Sequence, residues 1–170
     1  QVCPSDAIEM HDVTTGRWFL SSTRFGPMVH ARFGPGGENS GALVERVRRA
    51  AADAAEQYER DVVLVDAPAG IGCPVIAAIG GADAVLIVTE PTVSGRHDME
   101  RVIALCRHFS VPAMVCVNKH DLNPDEAQAI EDFAKEKNMK FLGRIPFDPT
   151  FTKAMVQGQT IFEYDENAEA

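Results

Sequence analysis

Nowhere in these 170 residues do apolar side chains run on for the ~20 positions needed to cross a bilayer. The N-terminus has neither a basic leader nor a signal-like apolar stretch. The sequence therefore reads as that of a soluble, cytoplasmic protein without a transmembrane segment. Basic charge is also scarce. Sixteen Lys and Arg stand against twenty-five Asp and Glu, giving a formal charge of -9 and a pI near 5.0. Phosphate backbones are gripped by clustered cations that release counterions, so this balance excludes nucleic acid as a general partner. Arg46, Arg48 and Arg49 do lie close together, at a spacing expected for the solvated side of a helix. The four cysteines, Cys3, Cys73, Cys106 and Cys116, lack metal-type pairing and any disulfide-framework spacing. Cys106 and Cys116 sit inside apolar patterns, where cysteine acts as a small hydrophobe. None of the five histidines has a His-x-x-x-His partner, which assigns them to surface or structural positions. There is no internal repeat and no low-complexity tract.

What is present is the composition of one globular domain, 45% hydrophobic and 24% charged. Two segments, Gly16 to Thr23 and Pro27 to Phe33, read as strands divided by the turn signal Phe25-Gly26-Pro27. They form a hairpin or neighbouring edge strands. Ala42 to Tyr58 carries Leu43, Val44, Val47, Ala50, Ala51 and Ala54 at helical spacing, with Asn39 or Ser40 as N-cap. From there strands and helices alternate. Strands are expected at Val62 to Asp66, Ala84 to Thr89, Ala113 to Asn118 and Lys140 to Ile145. Helices are expected around Val75 to Ile79, from about Asp98 to Phe109, at Asp125 to Lys137 and near Phe151 to Val156. Continuous Val, Leu and Ile in each strand, followed each time by a helix, predicts an α/β fold with a mostly parallel sheet covered on both faces. Residues 165–170 form an acidic tail expected to fray.

Ligands of such sheets bind beyond the carboxyl ends of the strands. Asp66, Glu90, Asn118 and Pro146 all fall there. Asp66 ends an apolar strand and is followed by Ala67-Pro68-Ala69-Gly70-Ile71-Gly72. A carboxylate so placed can hold Mg²⁺ through a water, and the glycine can bring a backbone N–H to a terminal phosphate. The plainer alternative is that Asp66 caps the turn while Gly70 and Gly72 relieve a tight bend. Asn118-Lys119-His120-Asp121 has the form Asn-Lys-x-Asp, which can recognise a purine through the Asn amide and the Asp carboxylate. In a structural reading, Asn118 and Asp121 instead satisfy backbone groups of the loop.

A phosphate loop of the form Gly-x-x-x-x-Gly-Lys-Ser/Thr is missing. Gly36-Gly37-Glu38-Asn39-Ser40-Gly41 has its glycine spacing, but Ala42 and Leu43 stand where the lysine and hydroxyl belong. Without them nothing charges the β- and γ-phosphates or ligates Mg²⁺ directly. The segment is better explained as a glycine-rich lead-in to a capped helix. Cys73-Pro74, beside the Asp66 loop, is either a reactive thiol at a helix start or a buried inert one.

Three runs, Asp66 to Ile76, Val88-Thr89-Glu90-Pro91-Thr92-Val93-Ser94-Gly95-Arg96-His97-Asp98, and Val117-Asn118-Lys119, resemble the MinD/ParA/Mrp group of P-loop ATPases (SIMIBI class). The resemblance is closest to members with a ferredoxin insert. Cys3-Pro4-Ser5-Asp6-Ala7-Ile8 resembles the tail of that insert's last cysteine motif. The implied organisation is residues 1–10 as the insert's tail, residues 11–164 as the C-terminal portion of the ATPase domain, and the acidic tail. The fold would then be incomplete, lacking the phosphate-loop strand and a closing helix, with the N-terminal strand pair added.

By this resemblance Asp66 is the Walker B carboxylate and Gly70 the switch II glycine. Asn118, Lys119 and Asp121 form the base-reading loop, and Pro146 to Asp148 line an adenine pocket. ATP, Mg²⁺ and a [4Fe-4S] cluster are the implied cofactors of the complete protein. Cys3 is a single residual ligand, so this chain alone is not expected to hold the cluster. A homodimer across the nucleotide face and an iron-sulfur or redox protein are the implied partners. The activity implied is an ATPase that couples nucleotide binding to cluster handling or partner switching, with the chain alone inactive. Three alternatives stay open: a GTPase of similar fold, suggested by Asp121; an ATP-dependent synthetase of the cobyrinate amidase type; and a non-catalytic scaffold fragment.

Overall fold

The computed structural model of the protein describes residues 7, 11, 14, 16–34 and 40–165. Cys3, Asn39 and most of the acidic tail lie outside the described residues. The chain divides into two compact units, Gln1–Pro68 with Cys73–Ala78, and Ala69–Gly72 with Ile79–Ala170.

In the first unit, β1 (Gly16–Thr23) and β2 (Gly26–Phe33) pair antiparallel in the register Gly16↔Phe33 to Thr23↔Gly26. The turn between them is closed by the Thr23 hydroxyl. It donates to the Gly26 carbonyl at 2.8 Å and accepts from the Phe25 N–H at 3.2 Å. Helix α1 (Gly41–Gln57) starts where the Ser40 hydroxyl accepts the Leu43 N–H, and it lies against β2. A Cβ on Gly41 would meet the Cys73 carbonyl oxygen at 3.0 Å, so the helix start needs glycine to approach α2 (Cys73–Ile79). The basic cluster is not all solvated decoration. Arg49 pairs with Glu45 on the exposed face, but Arg48 is half-buried and donates to the Ala77 carbonyl of α2 at 2.6 Å. It thereby satisfies a carbonyl in the last turn of a short helix, which has no intrahelical donor.

The strand expected at Val62 to Asp66 does not form. Residues 62–66 run without any ladder partner among the described residues, with Val62 79% and Leu64 94% exposed. A strand exists only against a neighbour that takes its N–H and C=O groups. The sequence pattern records the preference of these residues, and no described segment supplies the neighbour.

The second unit carries the parallel sheet. Its elements are β3 (Val85–Thr89), α3 (Val93–His108), β4 (Ala113–Asn118), a 3₁₀ turn (His120–Leu122), α4 (Pro124–Glu136), β5 (Lys140–Ile145), α5 (Thr150–Val156) and α6 (Ile161–Tyr164). The strand order is β3-β4-β5. Ile87, Val115 and Val117 point to one face and are buried there with Met99 and Ile103 of α3 and Ala127, Ile130 and Ala134 of α4. Cys106 and Cys116 are buried as read from the sequence, and burial pushes both thiols above their ordinary range. On the other face of the sheet cover is uneven among the described residues, since Cys116 of β4 is buried there. Leu86 and Val88, on the alternate positions of β3, are 52% and 56% exposed. Leu142 is an extra residue in β5, because Val115 pairs with Phe141 and Cys116 with Gly143. Gly143 accommodates this bulge at φ 149.

Caps rather than periodicity fix the helix starts. Thr92 accepts the Gly95 N–H at 3.0 Å, so α3 begins at Val93, five residues before the position expected from its apolar spacing. Asn123 accepts from Glu126 at 3.2 Å, with Pro124 at the first position of α4. α3 and α4 are tied by Arg96–Glu126 at 2.7 Å. Arg144 of β5 reaches Glu131 of α4 at 2.5 Å and Gln128 at 2.7 Å.

Two measurements check this packing. Ile130 has no exposed surface, and Ile130→Ala should cost about 2–5 kcal/mol in urea unfolding of the second unit. The Glu131 carboxyl is held below its ordinary value of 4.5 chiefly by hydrogen bonds from Lys135 and Arg144. Its folded pKa lies below the unfolded one, so its contribution is complete above the ordinary value and is lost below it, as pH falls through the folded pKa. Glu131→Gln should therefore flatten the loss of stability on acidification below about pH 4.5, with little change in slope nearer neutrality, as read by denaturant midpoints at successive pH values.

Candidate functional site

Because β3, β4 and β5 are parallel, their carboxyl ends share one edge of the sheet, and the polar residues that follow them gather there. β3 runs out into Glu90-Pro91, β4 ends on Asn118, and β5 leads into Pro146-Phe147-Asp148. The chain turns after β4 through Lys119 in the left-handed region, at φ 57 and ψ 40. Its ammonium then lies 2.5 Å from the Glu90 carboxylate at the end of the neighbouring strand. On the other side the Asp121 carboxylate accepts the Phe147 N–H at 2.7 Å.

Asp148 is also engaged. It accepts the Thr150 N–H at 2.7 Å, and hydrogen bonds from the Thr150 side chain and backbone hold its carboxyl below the usual range. Asn118 differs from these. It is half-buried, and its side-chain amide makes no hydrogen bond among the described residues, which leaves both its donor and its acceptor for a ligand.

Close packing supports the β3 end. A Cβ on Gly95 would lie 2.6 Å from the Glu90 carbonyl oxygen and 3.0 Å from the Thr89 hydroxyl. The start of α3 can sit against this loop only without a side chain at that position. Gly95 and the pairing partner Glu90 were not given roles from sequence. Their signal was the run Thr89-Glu90-Pro91-Thr92-Val93-Ser94-Gly95, whose meaning depends on which strand ends are adjacent.

In the first unit, Asp66 ends the extended segment with an exposed carboxylate that has no hydrogen-bond partner among the described residues. Gly70, which belongs to the second unit, has φ 89, in the region that favours glycine, and nothing lies within 4 Å of where its Cβ would be. Cys73 is exposed at the start of α2, not the buried thiol considered from sequence. A cavity of about 600 Å³ also opens in the first unit, at the hairpin turn, where Thr23, Arg24, Tyr58 and Arg60 are among its lining residues. None of the candidate site residues lines it.

An iron-sulfur cluster needs four thiolates. Cys3 lies outside the described residues, Cys106 and Cys116 are buried, and no group of three or more His, Cys, Asp or Glu suited to a metal ion occurs among the described residues. The described residues do not fit a cluster. No helix among them is long and apolar enough to cross a membrane.

Comparison with known proteins gives the family. A Methanocaldococcus jannaschii protein described as uncharacterized is 29% identical over 97 residues, covering 57% of this chain and 34% of its own length. A Caenorhabditis elegans homolog of the cytosolic Fe-S cluster assembly factor NUBP1 is 28% identical over 123 residues, covering 62% of this chain and 39% of that protein. The chain thus spans roughly a third to two fifths of the length of these relatives. The crystal structure of the Pyrococcus furiosus cell division ATPase MinD superimposes with a TM-score of 0.61 at 21% identity, over 76% of this chain and 53% of that one, which shows the fold. Residues 40–170 match the sequence model of the ParA family described as NUBPL iron-transfer P-loop NTPase. With that match spanning most of its length, the chain belongs to the MinD/ParA/Mrp-type P-loop NTPases.

Proposed function

We propose that this chain contributes the base-reading and γ-phosphate-sensing parts of an ATP site, in an ATPase that couples nucleotide binding to iron-sulfur cluster handling or to partner switching. The observation that carries the reading is Asn118. Its uncommitted amide stands at the carboxyl end of the central strand, beside a loop that runs through Pro146 to Asp148. An amide offers one donor and one acceptor, the pair that matches the N6 and N7 edge of adenine. Backbone groups of 146–148 would line the pocket.

Asp66 would hold Mg²⁺ through water, and the Gly70 N–H would meet the terminal phosphate. A hard oxygen donor with no competing hydrogen bond and an open glycine suit those roles. Magnesium supplies charge neutralisation to phosphoryl transfer when bound. The lysine and hydroxyl of a phosphate loop do not occur in these residues, so tight triphosphate binding requires a segment that supplies them. The apolar run Val62 to Val65 is where a strand carrying that loop would find an unpaired neighbour. Iron-sulfur coupling is the part of this proposal supported by the family description and the NUBP1 relative, and a redox partner and a homodimer across the nucleotide face belong to the same proposal.

Supplying the chain with a segment that carries an apolar strand and a Lys-Gly-Gly-x-Gly-Lys-Thr loop tests it. ATP hydrolysis should appear in the complex. Asp66→Ala should abolish that hydrolysis with ATP binding reduced less, and Asn118→Ala should weaken ATP binding by about tenfold, the loss of one base contact. Calorimetric titration of every such complex with Mg-ATP that gave neither heat nor a thermal shift would instead support a scaffold fragment.

A further inference from the structure

The sequence Asn118-Lys119-His120-Asp121 invites the reading that three of its side chains meet the base. In the structure two of them make bonds to the neighbouring strand ends. Lys119, in a left-handed backbone conformation, crosses to Glu90 at the end of β3, at 2.5 Å. Asp121 crosses the other way to the Phe147 N–H beyond β5, at 2.7 Å. The two bonds run from one loop to its neighbours on both sides, and β4 is the middle strand. The Leu122 N–H returns to the Lys119 carbonyl at 3.1 Å, which closes the 3₁₀ turn between the two anchors. Of Asn118, Lys119 and Asp121, Asn118 is the one whose side chain makes no hydrogen bond among the described residues.

We propose that Lys119 and Asp121 are positioning residues that clamp the β4 loop between Glu90 and Phe147, and that the Asp121 charge takes no part in choosing the base. This rests on the reading of the strand ends as a base pocket. Guanine recognition by a carboxylate needs its oxygens presented to the N1–H and the exocyclic amine of the base. Asp121 gives an oxygen to a backbone amide of the pocket wall instead. Adenine offers no such pair of donors and needs no carboxylate. Asp121 is thereby committed to holding the loop, although the four residues spell a guanine-type motif.

The distinguishing substitution is Asp121→Asn, which keeps an oxygen to accept the Phe147 N–H and removes the charge. Asp121→Ala removes both. Two readouts are taken on the protein complemented with a phosphate-loop segment: hydrogen exchange at the Phe147 amide, and displacement of a fluorescent ATP analogue by ATP and by GTP. The clamp predicts that Asp121→Asn leaves Phe147 protected and the ATP-to-GTP preference unchanged. Asp121→Ala should lose that protection and weaken the analogue severalfold, and the conservative variant should restore both.

A change of about tenfold or more in the ATP-to-GTP ratio with Asp121→Asn would show that the carboxylate reads the base, and would overturn the proposal. So would unchanged Phe147 protection in Asp121→Ala, since the bond would then hold nothing in place. Failure of the wild-type complex to bind the analogue at all would overturn the base-pocket reading and with it the specificity claim. The exchange readout would still decide the clamp, so the two failures are told apart.

Discussion

β4 is the strand on which the larger unit depends, because among the described residues it alone in the parallel sheet is paired on both sides. Val115 and Val117 are completely buried under α3 and α4, while the strand's last residue, Asn118, emerges at the edge where ligands of such sheets bind. The rigidity of the core and the position of the site are therefore one matter. Close packing of two β-branched side chains on one face fixes the register, and the register fixes where Asn118 comes to lie.

The ion pairs and hydrogen bonds around this strand follow a common rule. Arg96 with Glu126, and Arg144 with Glu131 and Gln128, join neighbouring elements at the rim of the core rather than within it. Such partly exposed contacts add little to stability one by one. Their effect is orientational, holding α4 against α3 and against β5. The loops at the strand ends repeat the rule with Glu90, Lys119 and Asp121, where orientation matters to the ligand.

Much of this was legible in the chain. The hairpin, the strand Lys140 to Ile145 and the burial of Cys106 and Cys116 follow from period and apolar content, because those signals depend on the residues themselves. The start of α3 was misplaced because the Thr92 cap is a local hydrogen bond that periodicity does not register. Arg48 was read as solvated because its acceptor, the Ala77 carbonyl, is 29 positions away. The engagement of Asp121 was likewise hidden, since its partner is a backbone amide 26 positions on, in a loop brought near only by the sheet. Motif and composition report what a residue can do; pairing across strands decides which of those it does.

The apolar run at 62–65 has a consequence for how the first unit acquires its final stability. Burying an aliphatic side chain of this size is worth roughly 1.5–3 kcal/mol, so Val62 and Leu64, largely in water, with Val63 and Val65 at 40% exposure, represent a driving force that is a sizeable share of the net stability of a typical domain. A strand that paired with this run would be coupled to folding as well as to binding. Its affinity would grow with temperature over the range in which hydrophobic association strengthens, and its dissociation would carry a large change in heat capacity. Partner docking at this segment would thus register in calorimetry as a folding transition, with the surface carrying Leu64 as the part that orders.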